Sequence, residues 1–479
     1  MKKIDCFLLA EDQHITQLNV EELRNNHTYI NKIYILSRDI NFCIEGAETY
    51  YVDSFLSQNA LMIIKENVST DYFMLLSGAA RIRFRPFGLR RIFDIMSDIN
   101  PGMVYTNFEL ESSSQSQLVQ LNDYSEGSIS DSFDFGVMVF IKSSRLKELD
   151  PRTYDRIEKH GFYFLRLSIA QKDRIAHLKE NTYTVISDNN DITMLRDKFH
   201  VKELTLEKNR ICTQYLQDIK AYLRPEYKTI SFDRDNFEFE ATILILHGTS
   251  IEDTAAMIDN ALKQSLSAAF NVMIVSHSND TMLQKQIRKY SSDYRLINLQ
   301  VNETVRTEGY CLNLALSHER CGKFLVVLQP NAYFTATNML EKIRNEFYAQ
   351  NCATLINCSH LSELDEDVAY QLIKTQNNKN SELRTFDPSL NYAFYTPAAR
   401  KFSFPVCNYA SQYAMQLKLS RYYKTGYTSA FIKNKTNEHR AMTLLQAAQI
   451  DTYRAFEIEA RKALYSSLNR NEKIQIYDV

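Results

Sequence analysis

The sequence predicts an α/β protein: two tandem domains with mostly parallel sheets, a helical linker between them and a helical tail. Three observations predict this. Short apolar runs rich in β-branched and aromatic residues recur along the chain, as strands buried on both faces do. Helical patterns separate the runs, and strand–helix–strand alternation calls for crossover connections between parallel neighbours. The same succession of runs and spacers occurs twice.

In the first half the runs are IDCFLLA (4–10), KIYILS (32–37), YFMLLSG (72–78), MVYTNFEL (103–110) and FGVMVFI (135–141). In the second they are ATILILH (241–247), VMIVSHS (272–278), FLVVLQP (324–330), ATLINCS (353–359) and YAFYTPA (392–398). VEELRNNHTYI follows the first run of one half and IEDTAAMIDNALKQSL that of the other; both read as helices. After the third run come FGLRRIFDIMSDI (87–99) and ATNMLEKIRNEFYAQN (336–351), and after the fifth FYFLRLSIAQKDRIAHL (162–178) and QYAMQLKLSRYYKTGY (412–427). The pattern predicts domains at 1–200 and 237–435. Residues 201–236 are a helical linker, with apolar residues at Leu204, Ile211, Tyr215, Ile219 and Tyr222 and a stop at Pro225. Residues 436–479 are a tail in which RAFEIEARKALYSSL (454–468) is amphipathic.

Composition limits the functional classes. The chain has 479 residues, 44% hydrophobic and 24% charged, values of a globular protein. Only 11 glycines and 8 prolines argue against linker-rich or disordered architecture. A net charge of -2 gives no general pull toward nucleic acid. No stretch approaches the roughly 18 apolar residues of a transmembrane segment. MKKIDCFLLAEDQ resembles a signal peptide only in outline; Asp5, Glu11 and Asp12 break its apolar run, which reads as a first strand. Eight cysteines without CxxC spacing read as reduced thiols, Cys352 and Cys358 as packing residues, and the protein as cytoplasmic. The ten histidines show no metal-binding spacing.

KFLVVLQPNAYF (323–334) is the most informative stretch: a buried strand running into a polar turn. With ATILILHGTS, the helix AMIDNALKQSLS, VMIVSHSND and YCLNLALSHERCGKFLVVLQPNAYF in that order, residues 240–425 resemble the family 2 glycosyltransferases and their Rossmann-like GT-A fold. The first half resembles a degenerate second copy, the product of a tandem duplication. The resemblance implies a nucleotide-sugar donor, an acceptor hydroxyl, and a divalent metal bound by an Asp-x-Asp motif. Mg²⁺ or Mn²⁺ compensates the charge growing on the leaving diphosphate, and a late carboxylate takes the acceptor's proton.

By the resemblance, the nucleotide-sugar contacts fall on Gly248, Asp280, Asn313, Gln329 and Asn331. The Asp-x-Asp positions hold Gln329 and Asn331, the acid expected at the end of the second strand falls on Val275, and the acidic pair near the base falls on Ser411 and Gln412. All three carboxylate motifs, five residues in all, are therefore neutral, and loss of a general base alone costs about 10²–10⁴ in rate. The resulting expectation is a weakened or inactive binding or partner protein with no metal or other cofactor, Mn or Mg mattering only if transferase activity remains. The alternatives are an active divergent transferase that works without metal, with Glu303, Glu308, Asp365 or Asp367 as base, and a non-catalytic subunit supporting a catalytic paralogue. Expected partners are a nucleotide-sugar, a glycan or a protein, and not nucleic acid.

Bland readings accompany the other segments. QPNA is a structural turn or a ligand contact. Arg81, Arg83 and Arg85, interleaved with Phe84 and Phe87, are a solvated face or a strip that binds phosphate, nucleic acid or an acidic partner. YSEGSISDSFDFG (124–136) and KTQNNKNSELRTFDPS (374–389) are connections or acceptor-binding loops.

Overall fold

The structure, a computed structural model of the chain, describes residues 3–112, 115–125, 127–130, 133–149, 157–187, 206–234, 236–246, 250–301, 307–330, 332–358, 380, 383, 390–429, 432–434 and 443–470. The chain forms two compact units, Met1–Ile219 and Lys220–Val479.

The first unit begins with β1 (Ile4–Ala10), α1 (Gln13–Asn25), β2 (Ile30–Ser37), β3 (Glu48–Tyr51) and α2 (Gln58–Asn67). It continues through β4 (Tyr72–Ser77), β5 (Arg81–Phe84), α3 (Gly88–Ile99), β6 (Met103–Glu111) and β7 (Ser116–Val119). It ends with β8 (Met138–Lys142), α4 (Ser143–Glu148), α5 (Gly161–Ala170), β9 (Ile175–Ile186) and α6 (Leu206–Asp218). All seven residues of β1 are buried, and Phe7 stacks on Tyr34 at 4.8 Å and meets Phe73 edge-on at 5.7 Å. Asp12 starts α1 by accepting from the Ile15 amide at 2.8 Å.

The second unit begins with β10 (Ala241–Ile245), α7 (Ile251–Leu262), β11 (Phe270–His277), α8 (Thr281–Ile287), β12 (Leu296–Val301) and α9 (Glu308–Ser317). Next come β13 (Phe324–Leu328), β14 (Ala332–Phe334), α10 (Met339–Gln350), β15 (Cys352–Cys358) and β16 (Asn391–Tyr395). Last are α11 (Thr396–Arg400), α12 (Ser411–Ser420), β17 (Lys424–Ser429), β18 (Ile432–Asn434) and α13 (Leu444–Arg470).

The two sheets share one plan. The first runs β3-β2-β1-β4-β8-β6-β9, with β5 beside β9 and β7 beside β6; the second runs β12-β11-β10-β13-β16-β15-β17. In each path four neighbouring pairs are parallel, and the two that involve β8 or β16 are antiparallel. Helices α3 and α10, at matching places, both end on an asparagine in the left-handed region, Asn100 (φ 45°) and Asn351 (φ 48°). Asparagine tolerates that conformation better than most residues and so stops a helix there.

The architecture is α/β with mixed, mostly parallel main sheets and a helical C-terminal element. Two expectations need correction. The last of the five expected strands in each half, β8 and β16, runs against its neighbours. For β8 the cause is its connection: described residues between β6 and β8 form β7 and loop rather than a crossover helix, and a chain returning without one pairs antiparallel. The segments 162–178 and 412–427 that follow the fifth runs are helical only to Ala170 and Ser420, and their ends enter β9 and β17. The helix expected within a linker is α6, which belongs to the first unit and buries Ile211, Cys212, Tyr215 and Leu216.

Loop 124–136 is tied down by Arg166, which is 1% exposed and donates to the carbonyls of Ser128 and Ser130 at 2.6 and 2.7 Å. The rings of Tyr163, Phe135 and Tyr124 surround that guanidinium. In the arginine strip, Arg83 pairs with Glu111 and Arg85 with Glu109, so two of its three charges are neutralised on an exposed face. Cys6, Cys212, Cys311, Cys321 and Cys352 are buried free thiols. Among the described residues no helix is long and apolar enough to cross a membrane.

Candidate functional site

In open α/β sheets ligands gather at the carboxyl ends of the parallel strands. A crossover helix runs back against its strands, so its N-terminus lies at that same end. In the second unit α9 leads into β13 and α12 into β17, and β17 is parallel to β15. The starts of α9 and α12 therefore lie where β13, β15 and β17 finish, and where the antiparallel β16 begins.

Polar residues line these strand ends. The Gln329 amide donates to Asn391 Oδ1 at 3.1 Å. Asn391 is the register partner of Asn357, which in turn pairs with Thr428. All three are at most 4% exposed, and Asn391 Nδ2 and Thr428 Oγ1 have no hydrogen-bond partner among the described residues. A buried unsatisfied polar atom costs about 1–3 kcal/mol, so two at one strand end mark a place where a ligand or water would be stabilising. Sequence reasoning passed over Asn357, Asn391 and Thr428. The available signal was an asparagine interrupting or opening an apolar run, in INCS and NYAFY.

The expected contact residues fare differently. Gln329 lies at the strand end and its carbonyl accepts from the Ala332 amide at 3.0 Å, which closes the turn that Pro330 favours. Asp280 is the N-cap of α8, accepting from the Leu283 amide at 2.9 Å. Asn313 clamps the Phe404 backbone, donating to its carbonyl and accepting from its amide, both at 2.8 Å. Both side chains thus already do structural work. Val275 is fully buried inside β11, which continues to His277, so it does not end the strand as expected. Gly248, Asn331, Glu303, Asp365 and Asp367 lie outside the described residues, as does most of loop 374–389.

The principal finding concerns Ser411 and Gln412, where the resemblance expected an acidic pair. Both are buried at the first turn of α12. Against them lies the carboxylate of Glu308, the first residue of α9. It accepts from the Ser411 amide at 3.2 Å and from Gln412 Nε2 at 2.9 Å. Close backbone approach makes this possible: a Cβ on Gly309 would stand 1.7 Å from the Pro405 carbonyl oxygen. The Gly309 amide donates to the Cys407 carbonyl at 3.1 Å. Ala410, just before α12, sits in the left-handed region at φ 57°, a strained setting for a residue with a Cβ.

Burial raises the Glu308 pKa above the usual carboxylate value, while the bonds from Gln412 and Ser411 oppose that rise. The residue still keeps some surface exposure. An acid with a raised pKa, held in fixed geometry and reachable from solvent, is suited to proton transfer. Nearby, Ser411 Oγ donates to the carbonyls of Pro405 and Cys407, and the Cys407 thiol contacts the Tyr453 hydroxyl of α13.

The described residues do not fit a divalent ion. Gln329 is a neutral amide at an expected ligand position, and no group of three or more His, Cys, Asp or Glu that could hold a metal occurs among the described residues.

No protein-family profile matches the chain, and no curated protein does. Among solved structures, the mannosyltransferase PcManGT from Pyrobaculum calidifontis in complex with GDP-Man and Mn2+ is similar at 15% identity and a TM-score of 0.33. The match covers 54% of this chain and 83% of that one. At that score the likeness carries no weight for fold or function.

Proposed function

We propose that the second unit is a divergent domain of the family 2 glycosyltransferase kind. It would bind a nucleotide-sugar at the ends of β10, β13 and β15 and use Glu308 as the base toward an acceptor hydroxyl. The placement of Glu308 against Ser411 and Gln412 carries this reading, because a carboxylate from α9 stands where α12 lacks one. In the reaction the acceptor oxygen attacks the sugar's anomeric carbon and its proton passes to the Glu308 carboxylate. The bond between that carbon and the diphosphate oxygen breaks, and the nucleoside diphosphate leaves with the electron pair. The first unit would be a degenerate copy produced by duplication, a reading supported by the shared strand order.

A second reading, a nucleotide-sugar-binding or partner protein without turnover, is favoured by the neutral Gln329 and by the structural use of Asp280 and Asn313. The test is calorimetry of the whole chain with a panel of UDP- and GDP-sugars, with and without Mn²⁺, together with chromatography for released nucleoside diphosphate. Binding with turnover, lost in Glu308→Gln while binding persists, is the expected result. Binding without turnover selects the second reading. Absence of binding across the panel overturns both and leaves a scaffold role, for which co-purification with an acidic-motif paralogue is the check.

A further inference from the structure

The first unit contains a cavity of about 900 Å³ at the end of its sheet where β1 and β4 begin. That is the end opposite the usual ligand side of such sheets, so the first unit's topology alone would not have suggested it. Its volume falls within the range of small-molecule sites. Phe93, Met96 and Tyr72 form an apolar wall. Lys3, Lys142 and Lys147 also line it, and among the described residues none of their ammonium groups forms an ion pair.

Two carboxylates line the cavity as well. Asp94 already lies 3.7 Å from Arg91, which leaves the lysines in excess. Ser143 adds an independent sign: it is 2% exposed, it lines the cavity, and its Oγ has no hydrogen-bond partner among the described residues.

We propose that this cavity binds a small phosphate monoester carried on a hydroxylated ring. The lysines supply the charge that a phosphate needs, and Ser143 Oγ supplies a donor without another task. Asp71 at the rim accepts from ring hydroxyls, and Phe93 offers a flat apolar face to the ring. A sugar phosphate and a nucleoside monophosphate share this chemistry. Bare phosphate lacks the ring, and a neutral sugar lacks the charge.

Calorimetry of the full chain with glucose 6-phosphate, AMP, inorganic phosphate and glucose tests the proposal. At least one monoester is expected to bind, more tightly than inorganic phosphate, with glucose silent; which monoester binds identifies the source. Lys142→Gln with Lys147→Gln should weaken binding at least tenfold. Lys147→Gln alone, at an exposed side chain, should weaken it severalfold without affecting folding, which a melting curve checks. Silence from both monoesters, glucose binding as tightly as glucose 6-phosphate, or an unchanged Kd in Lys147→Gln and in the double variant would each overturn the proposal. The substituted lysines all belong to the first unit, so UDP- or GDP-sugar binding by the second is measured separately and stands or falls by itself.

Discussion

Glu308→Gln and Glu308→Ala separate the chemical from the structural role of this carboxylate. In Glu308→Gln the new amide oxygen can accept from the Ser411 amide, and its NH₂ can donate to Gln412 Oε1, which has no partner among the described residues, once the Gln412 amide turns over. Stability near neutral pH should therefore change by less than about 1 kcal/mol or rise, because a buried charge has been removed. Glu308→Ala strands the 2%-exposed Gln412 amide, costing about 1–3 kcal/mol, and leaves α12 without its capping acceptor, costing about 0.5–2 kcal/mol more. The pH dependence follows from the direction of the shift. Unfolded, the carboxyl titrates near about 4.3; folded, it titrates higher. Between those two values the folded state holds more protons, so stability falls as pH rises through the window and the penalty is complete above it. Urea denaturation at several pH values between about 4 and 8 should show this falling contribution in the native chain and its absence in Glu308→Gln. Turnover, where the native chain shows it, should drop about 10²–10⁴-fold in Glu308→Gln with nucleotide-sugar binding retained. Full turnover in Glu308→Gln would refute the assignment of the base, and equal stability losses in the two variants would refute the hydrogen-bond account.

Other perturbations probe the surrounding framework. Gly309→Ala forces a Cβ into the Pro405 carbonyl and should cost about 1–3 kcal/mol by denaturant titration, lowering any turnover by displacing Glu308. Ala410→Gly removes left-handed strain and should be neutral to about 1 kcal/mol stabilising in the same assay; a clear loss would contradict the strained backbone. Glu457→Ala leaves Arg421 and the fully buried Arg461 without their shared carboxylate and should cost about 3–5 kcal/mol, read as a lowered melting temperature.

The strand cores were legible because a run of apolar residues needs no partner to be identified. IDCFLLA and FLVVLQP locate β1 and β13 to within a residue or two. Strand direction was harder, since β8 and β16 have the same apolar composition as their parallel neighbours and only the connection decides their sense. Short or polar strands such as β7 and β12 carry too little periodicity to stand out. At the site, the family resemblance singled out Ser411 and Gln412 and left Glu308 one unplaced acid among four. Its neighbours lie about a hundred positions downstream, and only folding of α9 against α12 brings them together. The tail offered a second lesson. Its amphipathic pattern suggested an apolar seam, yet α13 also buries Arg454, Glu457 and Arg461, which no hydrophobic periodicity would reveal.

Helix α13 gives the chain an order of assembly during its synthesis. Arg421, at the end of α12, is held by Glu457, and Cys407, just before α12, contacts Tyr453. A nascent chain that has released α9 and α12 but not yet α13 would have the acid and its donors without the brace that steadies them. The first unit can mature while the ribosome is still at work on the second. The chemistry proposed around Glu308 waits until α13 has been made, so a ribosome stalled shortly before α13 would display a largely formed sheet and an unfinished centre.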